Sequence, residues 1–167
     1  MKIHFAVLSM ALASAQALAG APTAPCAITN IPVDPAPPGQ FASYAGHGHA
    51  IDILLQSARP DREVDVFPEP PLILRRKDTQ KSCEIDGGIW TRKDFYLDAS
   101  ERTLITVEFS GSSDSLNFYD TASCKRLASL DISGYAWAIG KNALTLTAKQ
   151  GKAKTRSRRV NSFCIPN

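Results

Sequence analysis

Thr103-Leu104-Ile105-Thr106-Val107 and Ala143-Leu144-Thr145-Leu146-Thr147 are matching runs set 40 residues apart. Leucine and β-branched residues in such runs, with no helical period, read as strands. Seven residues after Leu104 and Leu144 stand Gly111 and Gly151, and thirteen residues after those glycines stand Cys124 and Cys164. Cys83 extends the series backward, so that three cysteines lie 41 and 40 residues apart. A period near 40 residues with strand texture is the spacing of β-propeller blades.

Working outward, the match continues. Leu74-Arg75-Arg76-Lys77-Asp78-Thr79 before Ser82-Cys83 aligns with Leu116-Asn117-Phe118-Tyr119-Asp120-Thr121 before Ser123-Cys124, after a one-residue gap. Phe95 and Leu97 overlay Tyr135 and Trp137 at an offset of 40. Alternating bulky residues are what the inner face of a sheet needs. Residues 50–55 and 63–67 read as earlier strands, the second ended by Pro68, Pro70 and Pro71. No stretch makes a convincing amphipathic helix. The expected class is therefore all-β. A closed propeller needs about four blades or more, and three units of about 41 residues fall short. The expectation is an irregular or incomplete β-propeller-like assembly, with a β-sandwich as the alternative.

Residues 1–19 read as a secretory signal peptide. Lys2 supplies the positive start, residues 3–12 a short apolar run, and Ala17-Leu18-Ala19 a small-x-small cleavage site. The segment before Cys26, Thr23-Ala24-Pro25, is no lipobox, and no later stretch is long and apolar enough for a transmembrane helix. A periplasmic location follows. Residues 20–48, rich in proline, are expected to form an extended arm, and residues 49–167 the all-β repeat domain. Removing Lys2 lowers the formal charge from +3 to +2. That weak charge, together with export, speaks against a nucleic-acid partner.

Four cysteines in an exported chain point to two disulfides among Cys26, Cys83, Cys124 and Cys164, in any of three pairings. Pairing all four forces a bond between two members of the periodic set. Cysteines at strictly equivalent positions of regular blades would be too far apart for that, because Cα atoms must come within about 7 Å. Either the repeat is distorted in space or some thiols stay free. The absence of a CxxC pair speaks against zinc.

Candidate sites are few. Gly46-His47-Gly48-His49 with Asp52 offers two imidazoles to a metal, but no third ligand is evident, and the glycines suggest a mobile turn. The expected set holds no metal and no cofactor. Asp94 with Asp98, or Glu84 with Asp86, could serve as paired carboxylates in a cleft. Carboxylates on strands also face solvent by default. No serine lies in a nucleophile elbow. Lys152, Lys154, Arg156 and Arg158 recur at period two, which puts four charges on one face of a strand. Such a strand suits an acidic partner or envelope polymer, or guards an exposed sheet edge. The sharpest interaction candidate is Ser110-Gly111-Ser112-Ser113-Asp114-Ser115, a polar loop between two strands where recognition could sit on a rigid scaffold.

The stretch Tyr96-Leu97-Asp98-Ala99-Ser100-Glu101-Arg102-Thr103-Leu104-Ile105 through Phe118-Tyr119-Asp120-Thr121 resembles one blade of the YVTN/WD40-type propellers. Size, export, blade texture and the serine-rich loop together resemble the periplasmic immunity proteins that neutralise peptidoglycan amidases of type VI secretion. That resemblance implies a non-enzymatic inhibitor. It implies a cell-wall hydrolase effector, an amidase, as partner. It also implies that Ser110, Gly111, Ser112, Ser113, Asp114 and Ser115 enter the amidase's Cys–His site. The competing readings are an exported metal protein or hydrolase using His47 and His49, and a structural cell-envelope protein.

Overall fold

Leu104 and Ile105, neighbours in the run 103–107, are both fully buried, and they face opposite ways. The computed structural model describes residues 25–150 and 154–167. The signal-peptide reading therefore lies outside the described residues, as does Lys152. In chain order the strands are β1 (Ile28–Asn30), β2 (Asp34–Pro35), β3 (Ser43–His47), β4 (Ile51–Gln56), β5 (Val66–Pro68), β6 (Leu72–Arg76), β7 (Ser82–Ile85) and β8 (Ile89–Thr91). They continue as β9 (Phe95–Asp98), β10 (Thr103–Ser110), β11 (Ser113–Asp120), β12 (Arg126–Asp131), β13 (Tyr135–Ile139), β14 (Ala143–Ala148) and β15 (Arg156–Arg159). The expected all-β class holds, with no helix among the described residues.

The strands make three antiparallel sheets. The first runs β2-β3-β4-β6-β7, the central one β1-β9-β10-β11-β12 with β5 and β8 attached along β10, and the third β13-β14-β15. One core lies between the first and central sheets, filled by Trp90, Tyr44, Phe67, Phe95, Leu97 and Leu104 with their neighbours. A second lies between the central and third sheets, where Ile105, Val107, Leu116 and Phe118 meet Leu144, Leu146 and Val160. Each large apolar side chain so buried contributes about 1.5–3 kcal/mol. Stacked sheets with both faces of the middle one covered suit an open propeller-like arrangement and a layered sandwich alike.

The proline-rich stretch before residue 49 carries β1 to β3, and Ile31, Val33 and Tyr44 from it are buried in the first core. β5 is shorter than the sequence suggests and includes Pro68. It can, because β5 pairs only with β8 and one side of its ladder is free. β15 is the outer strand of the third sheet and is exposed throughout, with Arg156 stacked 5.0 Å from the Tyr135 ring centroid. Its arginines therefore stand on a sheet edge.

All four cysteines are paired, Cys26 with Cys164 and Cys83 with Cys124. The hairpin turns explain how two periodic cysteines can meet. In the turn after β6, Gln80 N–H donates to Arg76 O, Arg76 N–H donates to Lys81 O, and Gln80 has φ +57°. After β11 the same pattern joins Cys124 to Asp120 and Asp120 to Lys125, with Cys124 at φ +56°. The equivalent of Cys124 is thus Gln80, 44 residues earlier, and Cys83 lies three residues further on, inside β7. The two cysteines hold different positions in their hairpins, and their Cα atoms come to 5.7 Å. The repeat is real in sequence and distorted in space.

The two bonds span 41 and 138 residues. By loop-closure entropy, replacing Cys83 and Cys124 by alanine is expected to cost about 4 kcal/mol, and replacing Cys26 and Cys164 about 5 kcal/mol. Guanidinium denaturation of the two double variants checks both the losses and their order.

Candidate functional site

β10 and β11 form one long hairpin with Ser110 opposite Ser113, which leaves only Gly111 and Ser112 as the turn. The six-residue loop read from the sequence is therefore a two-residue turn, and Ser110, Ser113, Asp114 and Ser115 belong to the strands. Gly111 has φ +60°, and positive φ at the first central position is the type II′ arrangement that suits strand twist and calls for glycine. Residues 110–113 are exposed, whereas Asp114 and Ser115 are half-buried. The tip is buttressed from the side. Asp114 N–H donates to Ser133 Oγ at 3.0 Å, and Ile132 N–H donates to Asp114 O at 2.9 Å. Below the tip, residues 103–107 and 116–119 are buried on both faces. Ser110, Gly111, Ser112 and Ser113 thus project from a stiff base.

Beside the tip lies a polar cavity of about 240 Å³, lined by Glu69, Gly88, Glu108, Ser115, Asn117 and Arg126 among others. The register explains its polarity. Glu108 pairs Ser115, Asn117 pairs Ser129, and Leu104 pairs Tyr119, so these side chains share the face that carries Leu104 into the first core. Further toward the tip, that face turns polar. Tyr119 Oη donates to Glu108 Oε1 at 2.5 Å. Burial, aided by the Glu108 carboxylate, pushes the Tyr119 phenol well above its usual range. Asn117 is buried, and its Oδ1 accepts no hydrogen bond. Residue spacing along the chain does not mark this group. The available signal was Asn117 itself, a β-depleted polar residue between Leu116 and Phe118 inside a strand.

The other candidates have structural partners. His47 Nδ1 is 2.8 Å from Asp52 Oδ1, whose carboxylate also meets Arg75 at 3.0 Å and Lys77 at 3.4 Å. His49 contributes its backbone N–H, with those of Ala50 and Ile51, to the Glu101 carboxylate. Gly48 is needed for that approach, since a Cβ there would stand 2.7 Å from Leu97 Cδ1 and 2.8 Å from Glu101 Oε1. Gly46 and His47 lie in β3. The glycines serve close packing rather than the mobile turn expected. Asp98 is buried and accepts hydrogen bonds from Ser100 and Thr103, while Asp94 is bound by Thr91. The two carboxylates thus have separate local partners. Among the described residues no group of three or more His, Cys, Asp or Glu converges as a metal site would.

The chain is similar to known proteins over most of its length. The sequence model of a family described as "Immune protein Tsi1" matches residues 26–164. A protein described as "Immune protein Tsi1", from Pseudomonas aeruginosa strain PAO1, is 37% identical over 171 residues, covering 96% of this chain and 93% of that one.

Two predictions follow from the geometry. Gly111→Val is expected to destabilise the fold by about 1–2 kcal/mol through its left-handed φ, whereas Ser112→Ala stays within about 0.5 kcal/mol; thermal unfolding compares them. The second concerns Asp52. Burial pushes its pKa up, but hydrogen bonds to His47 and Arg75 and the charge of Lys77 outweigh that and hold it below the ordinary 3.8. A lowered folded-state pKa gives stability that is present above the unfolded value and lost as pH falls through the folded one. Asp52→Asn is therefore expected to cost about 2 kcal/mol at pH 7. It should also flatten the loss of stability below about pH 4, as denaturation across pH would show.

Proposed function

The chain belongs to the Tsi1 immune protein family, and from that premise we propose that it is a periplasmic, non-enzymatic binding protein that neutralises a peptidoglycan amidase toxin. The β10–β11 tip enters the toxin's active site. The observation that carries this reading is a two-residue hairpin, exposed at Ser110, Gly111, Ser112 and Ser113, on strands whose bases are buried on both faces.

An inhibitor that works by occlusion needs little chemistry of its own. It needs a projection narrow enough to enter a cleft and stiff enough to lose little entropy on entering. A type II′ turn is the narrowest connection two antiparallel strands can make. The serine hydroxyls donate and accept hydrogen bonds, so they can engage a thiolate or an imidazole. Gly111 keeps the tip free of a side chain. Asp114, tied to the β12–β13 connection, fixes the direction of approach. The two disulfides suit an oxidising compartment, and among the described residues no helix is long and apolar enough to cross a membrane.

The test is co-expression in the periplasm with candidate peptidoglycan amidases from the same genome. The wild-type chain is expected to restore growth and to bind the amidase stably. Replacing Ser110, Ser112 and Ser113 by arginine leaves the core untouched and is expected to weaken binding at least 100-fold, about 2.7 kcal/mol. An amidase that the wild-type chain neither binds nor inhibits sinks the proposal.

A further inference from the structure

We propose that the cavity beside the hairpin is a second recognition site, which takes one lysine or arginine side chain of the toxin. The inference rests on the immunity reading for the toxin, but the cavity's chemistry stands on its own.

Four observations point to a cation. Glu69 and Glu108 both line the cavity, and among the described residues neither has a basic group within salt-bridge distance. Glu69 and Arg126 are both exposed, and Arg126 acts on the Tyr119 hydroxyl, so the lining holds two carboxylates against one guanidinium. Second, the Tyr119 hydroxyl spends its proton on Glu108 Oε1 at 2.5 Å. That hydrogen bond favours the carboxylate form and leaves Oε2 as an acceptor. Third, Asn117 is 1% exposed, lines the cavity, and has an Oδ1 without a donor. A buried acceptor left unpaired costs about 1–3 kcal/mol, and a donor that enters and engages the amide relieves that cost. Fourth, Glu69 is held in place by its own backbone. It has φ +58°, uncommon for a residue other than glycine, and its N–H donates to Gly88 O at 2.8 Å.

A lysine ammonium offers three donors and an arginine guanidinium five, which suits two carboxylates, an amide oxygen and the Ser115 hydroxyl. The position adds specificity. Ser110 and Ser115 belong both to the tip strands and to the cavity wall. A toxin whose cleft receives the tip therefore has its rim over the cavity. A basic residue on that rim would be bound at the same moment, and a toxin with an acidic residue there would be repelled.

Two measurements test this. In the first, Glu69→Gln with Glu108→Gln is expected to weaken binding to the amidase by 10- to 100-fold and to reduce its salt sensitivity. Glu84→Gln with Asp86→Asn, exposed carboxylates on and beside β7, is expected to change affinity less than twofold. Equal losses in the two pairs, or no loss in the first, overturn the proposal while leaving the hairpin reading in place. In the second, ethylguanidinium is titrated into the free, full chain, with the Asn117 side-chain amide followed by NMR. A saturable shift that disappears in Glu108→Gln is expected. No shift, or the same shift with acetate, overturns the cation site. A chain that binds no amidase but shows the guanidinium shift removes the amidase as partner and keeps the cation site.

Discussion

Leu104 and Ile105 of β10, and Phe118 and Tyr119 of β11, are adjacent pairs in which each member is buried against a different core. A strand exposed to solvent on one face alternates apolar with polar, but these two are covered twice. The first and third sheets exist in their present positions to supply that cover. Without the third sheet Ile105, Val107, Leu116 and Phe118 would face water, and without the first Phe95, Leu97, Leu104 and Tyr119 would, at about 25 cal/mol for every Å². The β10–β11 hairpin is thus both the centre of the packing and the element that reaches the surface at Gly111.

Covalent and polar ties hold the sheets in that stack. Cys83–Cys124 joins β7 of the first sheet to the turn after β11 of the central one. Cys26–Cys164 joins the segment before β1 to the segment after β15. Glu101, in the turn between β9 and β10, gathers the backbone N–H groups of His49, Ala50 and Ile51 and so locks the first sheet to the central one. For the function proposed above, the consequence is mechanical. A hairpin tip can serve as a fixed probe only if its base does not move, and here the base is buried twice and its neighbours are cross-linked.

The fold is legible in the sequence where pattern maps directly onto local geometry. Runs such as 103–107 and 143–147 gave β10 and β14, and the Phe95/Leu97 and Tyr135/Trp137 overlay gave the strands that pair with them. It is less legible where a short segment gains its place only from partners far along the chain. β1 and β2 are three and two residues long, and Pro35 sits in β2. Nothing local marks them as strands, since their pairing with β9 and β3 is what makes them so. The loop of residues 110–115 shrank to a two-residue turn for the same reason. Serines are poor strand formers, but Glu108 and Phe109 already align Ser115 and Asp114 across the hairpin, and the register carries on to Ser110 and Ser113.

By itself the sequence determined the all-β class, the 40-residue texture and the candidate tip at Gly111, because each depends on residue type and spacing alone. Cysteine number and the export-type start pointed to two disulfides without choosing their pairing. The tertiary structure alone decided which cysteines pair, since a turn equivalence of 44 residues rather than 41 can be seen only when hydrogen-bonded turns are superimposed. It alone turned His47 and His49 from possible ligands into partners of Asp52 and Glu101. It alone made a cavity of Glu69, Glu108, Asn117 and Arg126. These residues span 57 positions of chain, and they meet because antiparallel register brings Glu108, Asn117 and Arg126 to one face while the β5–β8 ladder folds Glu69 over it.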